Sequence, residues 1–457
     1  MALETLLSQV DKQFQGSLDR LCDLLKIPSI STDPQYKDEC REAADWLESD
    51  LNSIGFNASV RDTEGHPMVV AHGKPSQSTI LFYGHYDVQP VDPLEKWNHA
   101  PFEPEIVSEN GHKAIHARGA SDDKGQLMTF IEACRVWKEV SGSPPKGISI
   151  LLEGEEESGS PSLVPFLQKN TKELKADLAF ICDTGLFESK IPAIITQLRG
   201  LMGTEFEITG PTIDLHSGMY GGLAVNPIQI VGNIISDLFD SRGRITIDNF
   251  YDGVHELEPA HKEQWDNLNF DQQAFLGDIG LQSAIGEVDR TPLEKLWSRP
   301  TCEINGINGG YTGEGFKTVI PSKASAKVSC RLVGDQDPQK IRDNFCTFVE
   351  TRIPSDCTVK FTNHGLARAC QMPTNKPMFD IVKTALTEEW QKEAVYAGCG
   401  GSIPIAGYFQ EILGMDSLLT GFGKDNDNIH SPNEKYDFES FYRGIRSWVR
   451  VLYNSQQ

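Results

Sequence analysis

Four short apolar runs each stop at a residue able to bind a metal or a proton, or lead to one through a glycine-rich loop. Leu81-Phe82-Tyr83 reaches Gly84 and His85, and Ile148-Ser149-Ile150-Leu151-Leu152 is followed at once by Glu153-Gly154-Glu155-Glu156-Glu157. Leu178-Ala179-Phe180-Ile181-Cys182 is followed by Asp183, and Ser417-Leu418-Leu419-Thr420 leads on to His430. Runs of this length, rich in β-formers and bounded by glycine or charge, read as buried strands. Helical patterns alternate with them, as where Leu127, Phe130, Ile131, Cys134 and Trp137 recur at helical spacing. The pattern restricts the chain to an α/β fold, a sheet sandwiched by helices. Open sheets of that kind bind ligands at the carboxyl ends of their strands.

Each run ends in usable chemistry. His85 and Asp87 are two apart in an extended segment, so their side chains share a face, and Asp87 is placed to hold the second ring nitrogen of a metal-binding imidazole. Asp122 and Asp123 sit where a loop opens a helix, a position in which acids also serve as caps. Four glutamates fall within residues 153–157. Such a charge run is ordinarily a solvated face, but the flanking glycines and the preceding strand point to a ligand crevice. Oxygen and imidazole donors without thiolates suit zinc, manganese or cobalt.

The motifs Gly84-His85-Tyr86-Asp87, Gly119-Ala120-Ser121-Asp122-Asp123-Lys124-Gly125, Glu156-Glu157-Ser158-Gly159-Ser160 and His430-Ser431-Pro432-Asn433-Glu434 occur in that order across most of the chain. They resemble the M20 metallopeptidases, closest to the cytosolic nonspecific dipeptidase and carnosinase branch. The resemblance implies a zinc-exopeptidase-like catalytic domain, a mixed sheet between helices, formed by residues 1–202 and 373–457. A smaller α/β lid and dimerisation domain, 203–372, would be inserted into it. The resemblance further implies two divalent metal ions per subunit, zinc first, with manganese or cobalt as alternatives. His85 and Asp183 would hold one ion, Glu157 and His430 the other, and Asp122 would bridge them. Glu156 would be the general base and Asp87 would orient His85. A frame with Glu155 as base and Glu156 as ligand is set aside, because the family pair immediately precedes Ser-Gly-Ser.

Further family positions lie later in the chain. His216, within Asp214-Leu215-His216-Ser217-Gly218, matches a histidine that reaches from the partner subunit to stabilise the developing oxyanion, which implies a functional homodimer. Thr318, Arg331 and Ser402 match contacts to the substrate's free carboxylate, for which a guanidinium is suited by its paired donors. One departure stands out: the carnosinase branch often carries an arginine where this chain has Gly398, a loss expected to widen the pocket.

Composition fits a soluble enzyme. At 457 residues the chain exceeds what one core normally supports. No apolar run approaches a membrane span, and the start, with Leu6, Val10, Phe14, Leu18, Leu21 and Leu25, reads as an amphipathic helix rather than a signal peptide. Ten cysteines without a Cys-x-x-Cys pair suit a reducing cytoplasm, and a net charge of −23 argues against nucleic-acid partners. The stretch 203–209 and the stretch 326–332 alternate like strands, 341–349 reads as a helix, and 241–299 as an ordered helical insertion because its large apolar residues would be costly to expose.

The expectation is a cytoplasmic, homodimeric metallo-exopeptidase that binds a small peptide and no membrane. Two alternatives stand beside it: an M20-type amidohydrolase acting on N-acyl, N-carbamoyl or N-succinyl amino acids, and, more remotely, a noncatalytic metal-binding scaffold.

Overall fold

The four apolar runs form adjacent parallel strands. In the computed structural model, which describes residues 2–109, 111–401 and 403–456, Ile80–His85 lies between Ile148–Glu153 and Leu178–Ile181, and Ser417–Thr420 lies beyond Leu178–Ile181. Their carboxyl ends therefore share one edge of the sheet. Met68–His72 and Asn57–Arg61 extend it antiparallel on one side and Ala193–Leu198 on the other, so the sheet is mixed.

Successive side chains of Ile80–His85 face opposite layers, both covered, which is why Ile80, Leu81, Phe82 and Tyr83 run without a charged residue up to Gly84 and His85. Phe82 stacks on Phe130 of the helix Lys124–Ser141 with ring centroids 4.0 Å apart, and Trp448 of the helix Phe438–Ser455 meets both rings edge-on. Tyr83 points the other way and meets Phe409 at 5.9 Å. Both strand aromatics are fully buried, each contributing on the order of 1.5–3 kcal/mol by removal of its surface from water. The helix Leu3–Leu25 packs against Lys124–Ser141 and completes this layer.

A second unit has its own sheet, antiparallel, in the order Thr301–Gly309, Lys323–Leu332, Gly200–Thr209, Thr358–Ala367. The helices Pro227–Asp237 and Pro338–Glu350 cover it, around a core that includes Met202, Phe206, Ile234, Val328 and Phe345. Pro338–Glu350 starts where its sequence directs: Asp337 accepts the N–H groups of Gln339 and Lys340, and proline occupies the first turn.

The two compact units are Met1–Thr196 with Met372–Ala397 and Tyr408–Gln457, and Gln197–Gln371 with Gly398–Gly407. The chain thus passes into the second unit at 197 rather than 203, because Gly200–Thr209 already pairs along its length with Lys323–Leu332. The short return of 398–407 to that unit had no sequence signal. Residues 241–299 include the helices Pro259–Asn267, Gln272–Gly277 and Pro292–Trp297. Trp265 is buried there, but Phe275 and Leu281 are exposed, contrary to the expectation that the insertion hides its large apolar groups. Among the described residues no helix is long and apolar enough to cross a membrane, and all ten cysteines are free.

Candidate active site

His85 ends its strand fully buried. Its Nδ1 lies 3.1 Å from the backbone oxygen of Asp87 and 3.3 Å from Asp87 Oδ1, which directs Nε2 toward Asp122 Oδ1 at 3.1 Å and Asp183 Oδ2 at 3.9 Å. Asp87 has a second task that the sequence did not suggest. Its two carboxylate oxygens accept the backbone N–H groups of Glu156, at 3.2 Å, and Glu157, at 3.0 Å, while Ser31 Oγ donates to Oδ2 at 2.6 Å. One buried carboxylate thus fixes both the imidazole and the turn bearing the adjacent glutamates.

The loop before the helix Lys124–Ser141 separates Asp122 from Asp123. Asp122 aims Oδ1 at His85 and Oδ2 at His430. Asp123 instead accepts the backbone N–H of His85 at 3.1 Å, and burial pushes its carboxyl well above the usual range. A Cβ on Gly84 would stand 2.9 Å from Asp123 Oδ2 and would have to displace the carboxylate that accepts the His85 N–H. Glu434, the last residue of the His430 motif, holds the whole loop through hydrogen bonds from Arg118, Gly119, Ser121 and Asp122. Nothing in the sequence around Glu434 signals this role.

The glutamate run has four different environments and is not a solvated face. Glu153 is buried, accepts the Tyr83 hydroxyl at 2.6 Å and is pushed up to about 8 by burial. Glu155, also buried, accepts the N–H groups of His66 and Ser162. Glu157 Oε2 lies 3.3 Å from His430 Nε2 and accepts Gln89 Nε2 at 2.8 Å. The Glu156 carboxylate makes no hydrogen bond or ion pair with the described residues. Burial first, then the charges of Glu157, Asp87 and Asp122, raises its proton affinity, with His85 opposing.

His430 is half exposed, with a backbone φ of 60°, a left-handed conformation disfavoured for L-residues. Its Nε2 reaches Asp122 Oδ2 at 2.9 Å, and hydrogen bonds to Asp122 and Glu157 push the imidazole up to about 10. The potential ligand atoms of His85, Asp122 and Asp183 all lie within 4.8 Å of one another, as do those of Asp122, Glu157 and His430. Asp122 belongs to both groups, one oxygen to each. Burial, then the charge of Asp122, pushes Asp183 well above the usual carboxylate range, and Glu157 Oε1 is buried without a hydrogen-bond partner. Crowded carboxylates with unsatisfied lone pairs call for positive charge, and the nitrogen and oxygen donors fit two divalent ions sharing Asp122.

Residues 81–454 match the model of peptidase family M20/M25/M40. The chain belongs to this family. It is 30% identical to the Cys-Gly metallodipeptidase dug1 of Schizosaccharomyces pombe, over 99% of this chain and 98% of that protein. It is 28% identical to human Beta-Ala-His dipeptidase, over 86% of this chain and 78% of that protein. Among solved structures, the M20 family metallo-carboxypeptidase Sso-CP2 from Sulfolobus solfataricus superposes with a TM-score of 0.81 at 32% identity, covering 95% of this chain and 98% of that one. The chain is an M20 metallo-exopeptidase of the α/β class.

The second unit of this M20 peptidase carries the other candidate residues. His216 is exposed, and its Nδ1 accepts the N–H of Gly218 at 3.0 Å. The short strand Leu215–His216 pairs with Val319–Ile320, and Ser217 N donates to Thr318 O at 3.1 Å, which sets His216 and exposed Thr318 on neighbouring segments. Arg331 lies part-buried in Lys323–Leu332, opposite Leu201 and Thr301. Ser402 lies outside the described residues. Gly398 does not open a void: a Cβ there would stand 2.4 Å from Trp297 Cβ, so the indole occupies the space into which a side chain would grow.

Proposed function

We propose that this enzyme hydrolyses dipeptides, or similarly small peptides with a free C-terminal carboxylate, using two divalent metal ions and Glu156 as general base. The observation that carries this reading is a single carboxylate, Asp122, shared between two donor groups, with the unengaged carboxylate of Glu156 beside them. His85 and Asp183 would hold one ion, and Glu157 and His430 the other. Zinc suits these donors first, with manganese or cobalt as alternatives. The dipeptidase names of the fission-yeast and human relatives support the substrate class.

Two ions bound there would acidify a shared water and polarise the scissile carbonyl. Glu156, kept off the donor groups, takes the proton from the attacking water and passes it to the leaving amine nitrogen. Its raised proton affinity suits both halves of that transfer. Asp87 keeps the reaction geometry by holding His85 and the Glu156–Glu157 backbone together.

His216 acts as the oxyanion donor, supplied by the partner in a homodimer. Because its Nδ1 accepts a backbone N–H, the neutral ring carries its proton on Nε2, and that N–H is unengaged among the described residues. Exposed Ile213, Met219 and Leu223 flank this histidine in sequence, an apolar surface of the kind a second copy covers. Thr318, Arg331 and Ser402 receive the carboxylate. Ten free cysteines fit a cytoplasmic setting.

The test is amine release from dipeptides, tripeptides and N-acylated amino acids by apoprotein reloaded separately with zinc, manganese and cobalt. Cleavage of unblocked dipeptides is expected. Activity confined to acylated amino acids would move the enzyme to the deacylases, and preference for longer peptides would overturn the dipeptidase reading.

A further inference from the structure

Arg199 and Arg331 are neighbours in the second unit without an acid to share. Gly200 pairs with Leu332 and Leu201 with Arg331 across the antiparallel strands, so Arg199, one residue earlier, stands beside the end of the strand that carries Arg331. Arg331 and burial together lower the proton affinity of the Arg199 guanidinium, burial being the larger cause. Among the described residues neither arginine forms an ion pair. Glu303 is felt by Arg199 only at longer range. Acids are not scarce in this chain, which has 65 of them against 42 lysines and arginines. Two adjacent guanidiniums left unmatched in so acidic a protein repel each other unless an anion joins them.

The contacts of Arg199 show what its charge is not needed for. Its backbone N–H donates to Gly401 O at 3.2 Å and its Nε donates to Gly400 O at 3.0 Å, which fixes the loop just before Ser402. The fit is close, since a Cβ on Gly400 would stand 2.7 Å from Arg199 Nη2. Neutral donors would hold two carbonyl groups equally well. Nη1, in contrast, is buried with no acceptor among the described residues. A guanidinium that spends Nε on a loop and keeps a further donor without an acceptor is built to receive a planar anion.

We propose that Arg199 is a specificity-determining residue that, with Arg331, receives the C-terminal carboxylate of the peptide substrate. This rests on the dipeptidase reading above, and it adds a second cation to a subsite for which the sequence suggested only one. The selected feature of the substrate is its charge: a peptide amide, which keeps the shape but not the charge, gains nothing from Arg199.

The experiment compares wild type, Arg199→Gln and Arg199→Lys, all metal-loaded, in dipeptide kinetics and in inhibition by leucine and by leucinamide. Arg199→Gln keeps a neutral donor for the loop and removes the charge. It should raise KM and the leucine inhibition constant by roughly tenfold or more, leave kcat within about threefold, and leave leucinamide inhibition unchanged. Arg199→Lys, which also guards against misfolding of the glutamine variant, should recover part of the leucine affinity. Equal weakening of leucine and leucinamide, or a fall in kcat at unchanged KM, would overturn the proposal in favour of a structural role. If wild type cleaves no unblocked dipeptide, the functional reading fails separately. Calorimetric binding of leucine against leucinamide to wild type and Arg199→Gln then decides the arginine's role by the same contrast.

Discussion

Glu434 Oε1 accepts the backbone N–H of Asp122 at 3.0 Å, although 312 residues separate the two in sequence. The same oxygen takes Ser121 N–H at 2.9 Å, and Oε2 takes Gly119 N–H at 2.9 Å and Arg118 Nη1 at 2.7 Å. The carboxylate is wholly enclosed, and its four donors converge on the turn that aims Asp122 at two donor groups at once. Glu434→Gln would turn an amide N–H₂ toward some of those donors. Metal affinity should fall about 10–100-fold, the usual cost of removing a support behind a ligand. Metal retained per chain during dialysis against graded chelator reads this directly; unchanged retention would show that Asp122 keeps its aim without Glu434.

Glu156 is the one glutamate of its run whose carboxylate is left unengaged. Glu156→Gln should therefore keep its metal and its fold while kcat drops by about 10²–10⁴, the range for loss of a positioned proton acceptor. Metal analysis beside steady-state kinetics separates this from ligand loss, and a variant with near-normal turnover would remove Glu156 as the base.

How much of this was legible depended on whether a signal was local. The strands that end at His85 and Glu153 and the one that leads to Asp183 announced themselves because parallel strands buried on both faces are largely apolar. The helix after Asp123 showed its spacing for a similar reason. Nothing local marked Ser31 as a partner of Asp87, 56 residues away, or Glu434 as the clamp on the Asp122 loop. Those roles exist only once distant segments meet. The role of Gly398 was misjudged on the same ground, because the absence of a side chain reads as space until Trp297 is seen filling it.

The His216 tautomer argument gives a complementation experiment. His216→Ala should lower turnover with metal content unchanged, since His216 belongs to neither donor group. Mixing it with Glu156→Gln, under conditions that exchange subunits, would pair an intact base with an intact histidine at one of the two sites in each mixed dimer. Statistical exchange should restore about a quarter of wild-type activity. No recovery, with mixed dimers demonstrated by mass, would mean that His216 does not act across a dimer.

Trp297 and Gly398 allow a packing test that is read on stability rather than on activity. Gly398→Ala sets a methyl 2.4 Å from Trp297 Cβ and should destabilise the protein by about 1–3 kcal/mol through overpacking. Gly407→Ala is the matched control: it lies in the helix Pro404–Tyr408 with nothing within 4 Å of its added Cβ, and alanine there should be neutral or stabilising by up to about 1 kcal/mol. Denaturant midpoints compare the two, and equal stability of both variants would show that the indole does not fill position 398.

Glu132 links folding to pH on the helix that follows Asp122. Fully buried, it accepts Ser17 Oγ at 2.7 Å, Arg20 Nε at 2.7 Å and Nη2 at 2.6 Å, and Arg135 Nε at 3.0 Å, which ties Leu3–Leu25 to Lys124–Ser141. Burial alone would raise its proton affinity, but the Arg20 hydrogen bond and the Arg135 charge outweigh burial and hold the carboxyl below its ordinary value of 4.5. A depressed carboxylate stabilises the fold fully above the unfolded-state value and loses that contribution as pH falls through the lower, folded-state value. Glu132→Gln leaves Arg20 without its ion-pair partner, while Arg135 keeps Asp50, so at neutral pH it should cost about 3 kcal/mol. The gap to wild type should then begin to narrow as pH drops below about 4.5, where the unfolded wild-type chain takes up the proton, and close as pH falls through the lower folded-state value. Paired melts from pH 7 down to pH 4 follow the gap; if it stays constant or widens toward acid, the Glu132 charge contributes nothing to the packing of these two helices.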